Sequence, residues 1–158
     1  MSHGRLMALA SALLLTLSCS APVDLKQALQ VTDVSVGYFD AGVTAAGQNK
    51  LVPSVSFRLR DTSGKLSRVA LNIMFRLVDT GVDNDEIFMQ RVDFTDGQTE
   101  LLTVRSTAGF TGDPPQSRAD MLKNKDFRDM DAVILVRQVS AQWLELHRIR
   151  IERQLLTK

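Results

Sequence analysis

The chain has 158 residues, a length typical of one domain, and its hydrophobic content of 44% is that of a folded protein with a core. Its formal net charge of +1 lacks the basic excess that nucleic-acid-binding proteins show. The composition therefore excludes an intrinsically disordered chain, and we expect no nucleic acid among its partners.

Residues 1–18 are predicted to be a secretory signal peptide. Arg5 precedes an uncharged apolar run from Leu6 to Leu17, and export signals place a positive segment before a hydrophobic one in this way. A membrane-spanning helix needs about 20 apolar residues, so this run is too short to cross a bilayer. We expect the segment to be removed during export.

Cys19 is the only cysteine of the chain, and Ser18 supplies a small residue directly before it. The segment Thr16–Ser20 resembles a bacterial lipobox, which implies that Cys19 carries a lipid and anchors the mature chain. Lipidation would also remove a free thiol from an oxidising compartment, where a lone cysteine has no internal disulfide partner. Cys19 and Ala21 satisfy the ordinary small-x-small cleavage pattern as well, which would instead release a soluble periplasmic protein.

Residues 19–27 are predicted to be the lipidated N-terminus and a tether, because they contain Pro22 and lack a periodic apolar pattern. Ser20 stands where an aspartate commonly retains lipoproteins in the inner membrane of enterobacteria. We therefore expect a cell-envelope protein that is lipid-anchored to the outer membrane and faces the periplasm. The predicted partners are the membrane, through the lipid, and an unknown envelope protein.

Residues 28–158 are predicted to form a mainly β domain, because apolar and polar residues alternate with a period of two over most of this segment. Turn sequences separate the alternating runs at 61–64, 79–81 and 96–97. About seven strands with such spacing predict an antiparallel immunoglobulin-like β-sandwich. The residues expected to face its core in two of the strands are Val55, Phe57, Leu59, Val69, Leu71, Ile73, Phe75 and Leu77.

Two later strands carry more specific expectations. Phe88, Val92 and Phe94 have the same parity, so they are predicted to share one face. The final apolar segment changes parity, which predicts a β-bulge near His147. Residues 116–128 are the one helical candidate and are expected to form a short helix or an ordered loop.

The sequence Phe57–Asp61, followed by Thr62–Gly64, resembles the motif of FxLYD-type immunoglobulin-like domains, with Arg60 in place of the tyrosine. Such domains occur in uncharacterised small bacterial lipoproteins. The resemblance covers residues Leu29 to Leu156. It implies a fold and a membrane anchor, and it brings no catalytic residues to this chain.

The sequence predicts no enzyme and no cofactor. His3 leaves with the signal peptide, so His147 is the only histidine of the mature chain and has no cysteine or histidine partner for a transition metal. The chain also lacks the G-x-S-x-G motif of serine hydrolases and a glycine-rich phosphate loop. Neither a nucleophile with its base nor a metal centre is therefore expected.

One acidic segment offers weak candidates for calcium ligands. Asn84 and Gln90 occupy positions where an EF-hand loop starting at residue 79 needs glycine and glutamate, so only a looser oxygen-ligand site is conceivable. A solvated acidic turn is the expected alternative. The candidate ligands are Asp79, Asp83, Asp85 and Glu86.

Two aromatic residues are candidates for partner contacts. Phe110 lies between glycines in the segment 107–115, where it either contacts a partner or folds back to cap the sandwich, and we expect the cap. Trp143 follows a predicted turn, where it either covers the core or lies at an interface, and we expect the core position.

The lead hypothesis is a membrane-anchored, non-catalytic interaction or accessory module, because the predicted domain offers surfaces and strand edges and no reactive groups. Addition of a partner strand at an exposed edge is the expected mode of binding. The alternative is a carrier or sensor domain for a small ligand or calcium, soluble in the periplasm if Cys19 is not lipidated.

Overall fold

The computed structural model describes residues 23–114 and 116–156, so the predicted signal peptide, Cys19 and most of the predicted tether lie outside the described residues. Within these ranges no helix is long and apolar enough to cross a membrane. The elements are, in chain order, α1 (Leu25–Ala28), β1 (Leu29–Val43), β2 (Asn49–Asp61), β3 (Arg68–Leu77), β4 (Asp83–Asp93), β5 (Leu102–Arg105), β6 (Phe110–Gly112), α2 (Arg118–Lys123), β7 (Met130–Arg137) and β8 (Leu144–Arg150).

The strands form two antiparallel sheets of four strands each, which confirms the predicted β-sandwich. The first sheet has the order β1-β2-β5, with β6 also paired to β2, and the second has the order β4-β3-β7-β8. This is the arrangement of strands A, B and E against C′, C, F and G in immunoglobulin-like sandwiches. The strands number eight because β5 and β6 pair with successive parts of the same edge of β2.

The core lies between the two sheets, and the predicted core residues of β2 and β3 are all buried there. Burial alternates from Val55 to Asp61 of β2 and along β3, because one face of each strand packs on the opposite sheet, whereas residues 51–55 of β2 are buried on both faces. Ile134 and Val136 of β7 complete the same layer, and both are fully buried.

The prediction that Phe88 and Val92 share a face of β4 is wrong. A β-bulge places Gln90 and Arg91 together opposite Ala70 of β3, so the alternation reverses between the two apolar residues. Val92 is buried, whereas Phe88 is 51% exposed on the outer face of the second sheet.

The predicted bulge near His147 is confirmed. Ile134 of β7 pairs with His147, whereas its neighbour Leu135 pairs with Glu145, so Leu146 is the extra residue of β8. Because a bulge lets residues of both parities reach the same side, apolar residues before and after it pack against the core.

The Asp61 side chain stabilises the turn that follows it. Its carboxylate accepts hydrogen bonds from the Ser63 and Leu66 amides at 2.9 and 2.8 Å. Burial alone would raise the pKa of Asp61, but these bonds and one from the Ser63 hydroxyl outweigh it and lower the pKa. The sequence reading of this aspartate as the start of a turn is thus confirmed.

The folded domain starts earlier than predicted. Residues 25–27 were expected to belong to the tether, but they form α1 with Ala28, and Leu25 is buried against the core. The Asp24 side chain caps this helix by accepting a hydrogen bond from the Lys26 amide. The one helix expected from the sequence is present, since α2 lies within the predicted range 116–128.

Candidate functional site

Three side chains from three strands or their ends meet on the outer face of the second sheet. The rings of Phe88 and Trp143 pack edge to face, with centroids 5.9 Å apart and an interplanar angle of 87°. The Arg137 guanidinium lies 4.4 Å from the Trp143 centroid and 6.0 Å from that of Phe88, within the range of cation–π attraction. We call these three residues the aromatic–arginine cluster.

Backbone pairing explains why the cluster forms. The bulge in β4 turns Phe88 outward, and Arg137 pairs with Ala70, whose small side chain leaves room above the sheet. Trp143 precedes Leu144, which packs against the core, so the tryptophan projects to the other side. The expectation that Trp143 covers the core is therefore wrong, since it lies half-buried in the surface cluster.

A groove of about 580 Å³ adjoins the aromatic–arginine cluster. Phe88 and Arg137 form part of its wall, and Val139, which is 87% exposed, stands at its rim. Arg68 and Arg91 also line it, and no described aspartate or glutamate does. The groove thus combines apolar surface with arginine side chains.

The remainder of this outer face is neutralised by ion pairs. Each of three arginines there has a carboxylate partner at hydrogen-bond distance, so this part of the sheet presents a charge-balanced surface. The pairs are Arg76–Asp83, Arg148–Glu145 and Arg150–Asp131. Available positive charge on this face is therefore concentrated at the groove.

Phe110 packs against the protein's own aromatic residues, as expected for a cap. Its ring centroid is 4.2 Å from that of Phe127 and 6.1 Å from that of Tyr38. The flanking glycines permit this approach: a Cβ at Gly109 would collide with the Leu51 carbonyl oxygen. The structure thus uses Phe110 inside the fold, where it is half-buried.

The acidic segment does not form one shared site. The Asp79 carboxylate pairs with Arg128 at 2.7 Å, and Asp83 pairs with Arg76 at 2.6 Å. Asp85 and Glu86 bond to other parts of the chain. No group of three or more histidine, cysteine, aspartate or glutamate side chains within the described residues is placed to hold a metal ion.

Asp85 instead links the two sheets. Its Oδ2 accepts hydrogen bonds from the Ser106 hydroxyl at 2.7 Å and the Thr107 amide at 2.6 Å, in the segment between β5 and β6. Burial alone would raise the pKa of Asp85, but the bonds from Ser106, Thr107 and Ala108 outweigh it and lower the pKa. The carboxylate therefore has a structural role.

The edge strands are poorly suited to pairing with another chain. Bulges interrupt β1, β4 and β8, and the C-terminal segment bonds to the outer edge of β1 at Tyr38. On the remaining edge, the segment bound by Asp85 separates β5 from β6. Bulges and charged edges are devices that natural sheets use against edge-to-edge pairing. These features disfavour strand addition, the mode of binding expected from the sequence.

Comparisons with protein-family models, with curated proteins and with solved structures found no match to this chain. The resemblance to FxLYD-type domains therefore stays a prediction. Among the surfaces of the described residues, the aromatic–arginine cluster and its groove form the best candidate site. Sequence reasoning identified Trp143 and missed Phe88, Arg137 and Arg68.

Proposed function

We propose that this chain is a lipid-anchored, non-catalytic protein of the cell envelope whose β-sandwich binds a partner protein. The observation that carries the proposal is the aromatic–arginine cluster on the outer face of the second sheet. Tryptophan, tyrosine and arginine are enriched among residues that dominate binding energy, and aromatic rings and arginine are also enriched at interfaces. Phe88 is half exposed without a role in the core, so its position favours a contact surface.

The face of the sheet suits binding better than its edges. The edge strands are bulged or interrupted, whereas one member of the cluster, Arg137, lies on an inner strand. Arg137 belongs to β7, whose pairs with β3 run without a register shift. Rigid support lowers the ordering cost that a side chain would otherwise incur on binding.

The anchor is supported by sequence alone. Cys19 precedes the first described residue, Val23, by a short segment, so a lipid there would hold the folded domain close to the membrane surface. A spanning helix is not needed for such an anchor, because buried acyl methylenes each contribute about 0.8 kcal/mol to membrane binding.

Metabolic labelling with a fatty acid tests the anchor. We expect the wild-type protein to incorporate label and to sediment with membranes, because lipidation needs the Cys19 thiol. The Cys19→Ala variant is expected to incorporate none, while a serine substitution at exposed Thr107, outside the signal segment, leaves labelling unchanged. Unlabelled wild-type protein recovered in the periplasmic fraction would show that the chain is secreted in soluble form.

Site-specific photo-crosslinking in intact cells tests the binding surface. A photoreactive residue at position 88 is expected to give a discrete crosslinked species, because this side chain lies on the proposed contact face. The matched control is position 35, where Ser35 is exposed on the first sheet. Equal crosslinking from both positions, or none from position 88, would contradict a partner at the aromatic–arginine cluster.

A further inference from the structure

The groove beside the aromatic–arginine cluster has an unusual balance of charge for a domain with almost no net charge. Its charged lining residues are Arg68, Arg91 and Arg137, from β3, β4 and β7. They approach one another because β3 lies between β4 and β7 in the sheet. A ligand in this groove would therefore meet positive charge from three strands.

Two of these arginines, Arg68 and Arg137, form no ion pair within the described part of the chain, whereas Arg91 binds Asp93 at 2.8 Å. Arg68 lies opposite the same Asp93 in the pairing of β3 with β4 and attracts it electrostatically, so one carboxylate is shared between Arg68 and Arg91 and the three arginines keep a net positive charge. The central carbon of the Arg137 guanidinium lies over the Trp143 ring at 4.4 Å from its centroid, and an arginine that stacks on an aromatic face can still donate hydrogen bonds from its N–H groups. A carboxylate approaching in that plane can accept two parallel hydrogen bonds from an arginine.

We infer that the groove binds an acidic, extended segment of the partner protein, with carboxylates at Arg68 and Arg137 and an apolar side chain against Phe88. This inference rests on the proposed function. It assigns the chemistry of the partner: aspartate or glutamate residues on either side of an apolar one.

A peptide fits this surface better than an anionic bilayer. The site is concave, and a segment of chain can enter a groove whereas a planar membrane surface meets only its rim. Asp93 beside Arg91 also weakens the field that the groove presents at a distance. Carboxylates placed inside the groove would contact the arginines at short range, where Asp93 and the solvent weaken the attraction less.

Recognition in the groove depends on side chains. The bulge at Gln90 and Arg91 interrupts the free edge of β4, so the partner segment cannot continue the sheet there. The expected contacts are charge pairs at a partly exposed site, which dissolved salt screens. We therefore expect the affinity for the partner segment to fall as the salt concentration rises.

The direct test measures binding of a fluorescent peptide, with glutamates on both sides of one phenylalanine, to the mature chain in detergent micelles. We expect saturable binding, and about tenfold weaker binding for Arg68→Gln and for Arg137→Gln, because each loses a charge-assisted contact. Arg150→Gln is the matched control: it removes an arginine on the same face that already pairs with Asp131, and it should leave the affinity unchanged. The same peptide with glutamine for glutamate should not bind.

Thermal melts of each variant test whether a loss of binding reflects a loss of folding. Equal affinity of the glutamate and glutamine peptides would overturn the acidic assignment. A second experiment measures binding of the three arginine variants to phosphatidylglycerol vesicles. If vesicle binding requires Arg68 and Arg137 and the peptide does not bind, the assignment of an acidic partner segment is overturned in favour of a lipid surface. If crosslinking from position 88 persists while the acidic peptide fails, the partner surface stands and only its assigned chemistry is wrong.

Discussion

Replacing Tyr38 by alanine is expected to lower the free energy of unfolding by about 3–5 kcal/mol, the range for removing a buried aromatic side chain. Tyr38 is fully buried, and its ring centroid lies 4.8 Å from that of Phe127 in an edge-to-face contact. Its amide donates to the Gln154 carbonyl and its carbonyl accepts from the Leu156 amide, so the C-terminal segment is bound at the same point. A cavity here would loosen a junction between β1, the segment before β7 and the C-terminus.

Tyr38→Phe is the matched control for this cavity. The Tyr38 hydroxyl has no hydrogen-bond partner among the described residues, so its burial is uncompensated. Burial, and secondarily the charge of Asp129, raise the pKa of Tyr38, so the phenol stays neutral. We expect Tyr38→Phe to raise stability by about 1 kcal/mol, measured by urea unfolding of both variants against wild type. A loss of stability in Tyr38→Phe would show that the hydroxyl has a partner.

The parts of the fold that the sequence predicted are those governed by local alternation. Residues 69–77 of β3 alternate without interruption, and the strand pairs on both sides, so inward and outward positions follow directly from the period of two. The β-bulge in β4 does not follow from the local pattern. Ile87 and Met89 share one parity and Val92 has the other, but only the pairing with β3 shows that a bulge brings all three to the core side.

The candidate site depends on that non-local information. Arg68 and Arg137 are far apart in sequence and lie near each other because β3 and β7 pair in a register that places Ala70 opposite Arg137. Conversely, the acidic residues between 79 and 86 are close in sequence, but the turn and the bulged strand direct them to different partners. Crowding along the chain made these residues weak candidates for a shared calcium site beside the expected solvated turn, and strand geometry does not bring them together.

Asp85→Ala is expected to lower the free energy of unfolding by about 1.5–3 kcal/mol at pH 7, because hydrogen bonds to a charged acceptor would be lost and one of the donors, Ser106, is buried. Those donors are the Ser106 and Thr107 hydroxyls and the Thr107 and Ala108 amides, at 2.6 to 3.3 Å from Oδ2. Asp79→Ala is the control. It removes the same chemical group from an exposed pair with Arg128, and solvent screening leaves such a pair with little effect on stability. Similar losses from both substitutions would contradict the linking role of Asp85.

The pH dependence of the stability difference between wild type and Asp85→Ala shows whether the carboxylate acts through its charge or through packing alone. The pKa of Asp85 is lower in the folded protein than its ordinary value, so the folded state binds this proton less readily than the unfolded chain does. Its stabilising contribution is therefore fully present above the unfolded pKa of about 3.9 and is lost as pH falls through the lower folded value. The stability gap between wild type and Asp85→Ala, measured by urea unfolding, should be constant near neutrality and shrink below about pH 4. A gap that stays constant through this acid range would mean that the carboxylate acts through its shape rather than its charge, and that the sheets are joined here by packing alone.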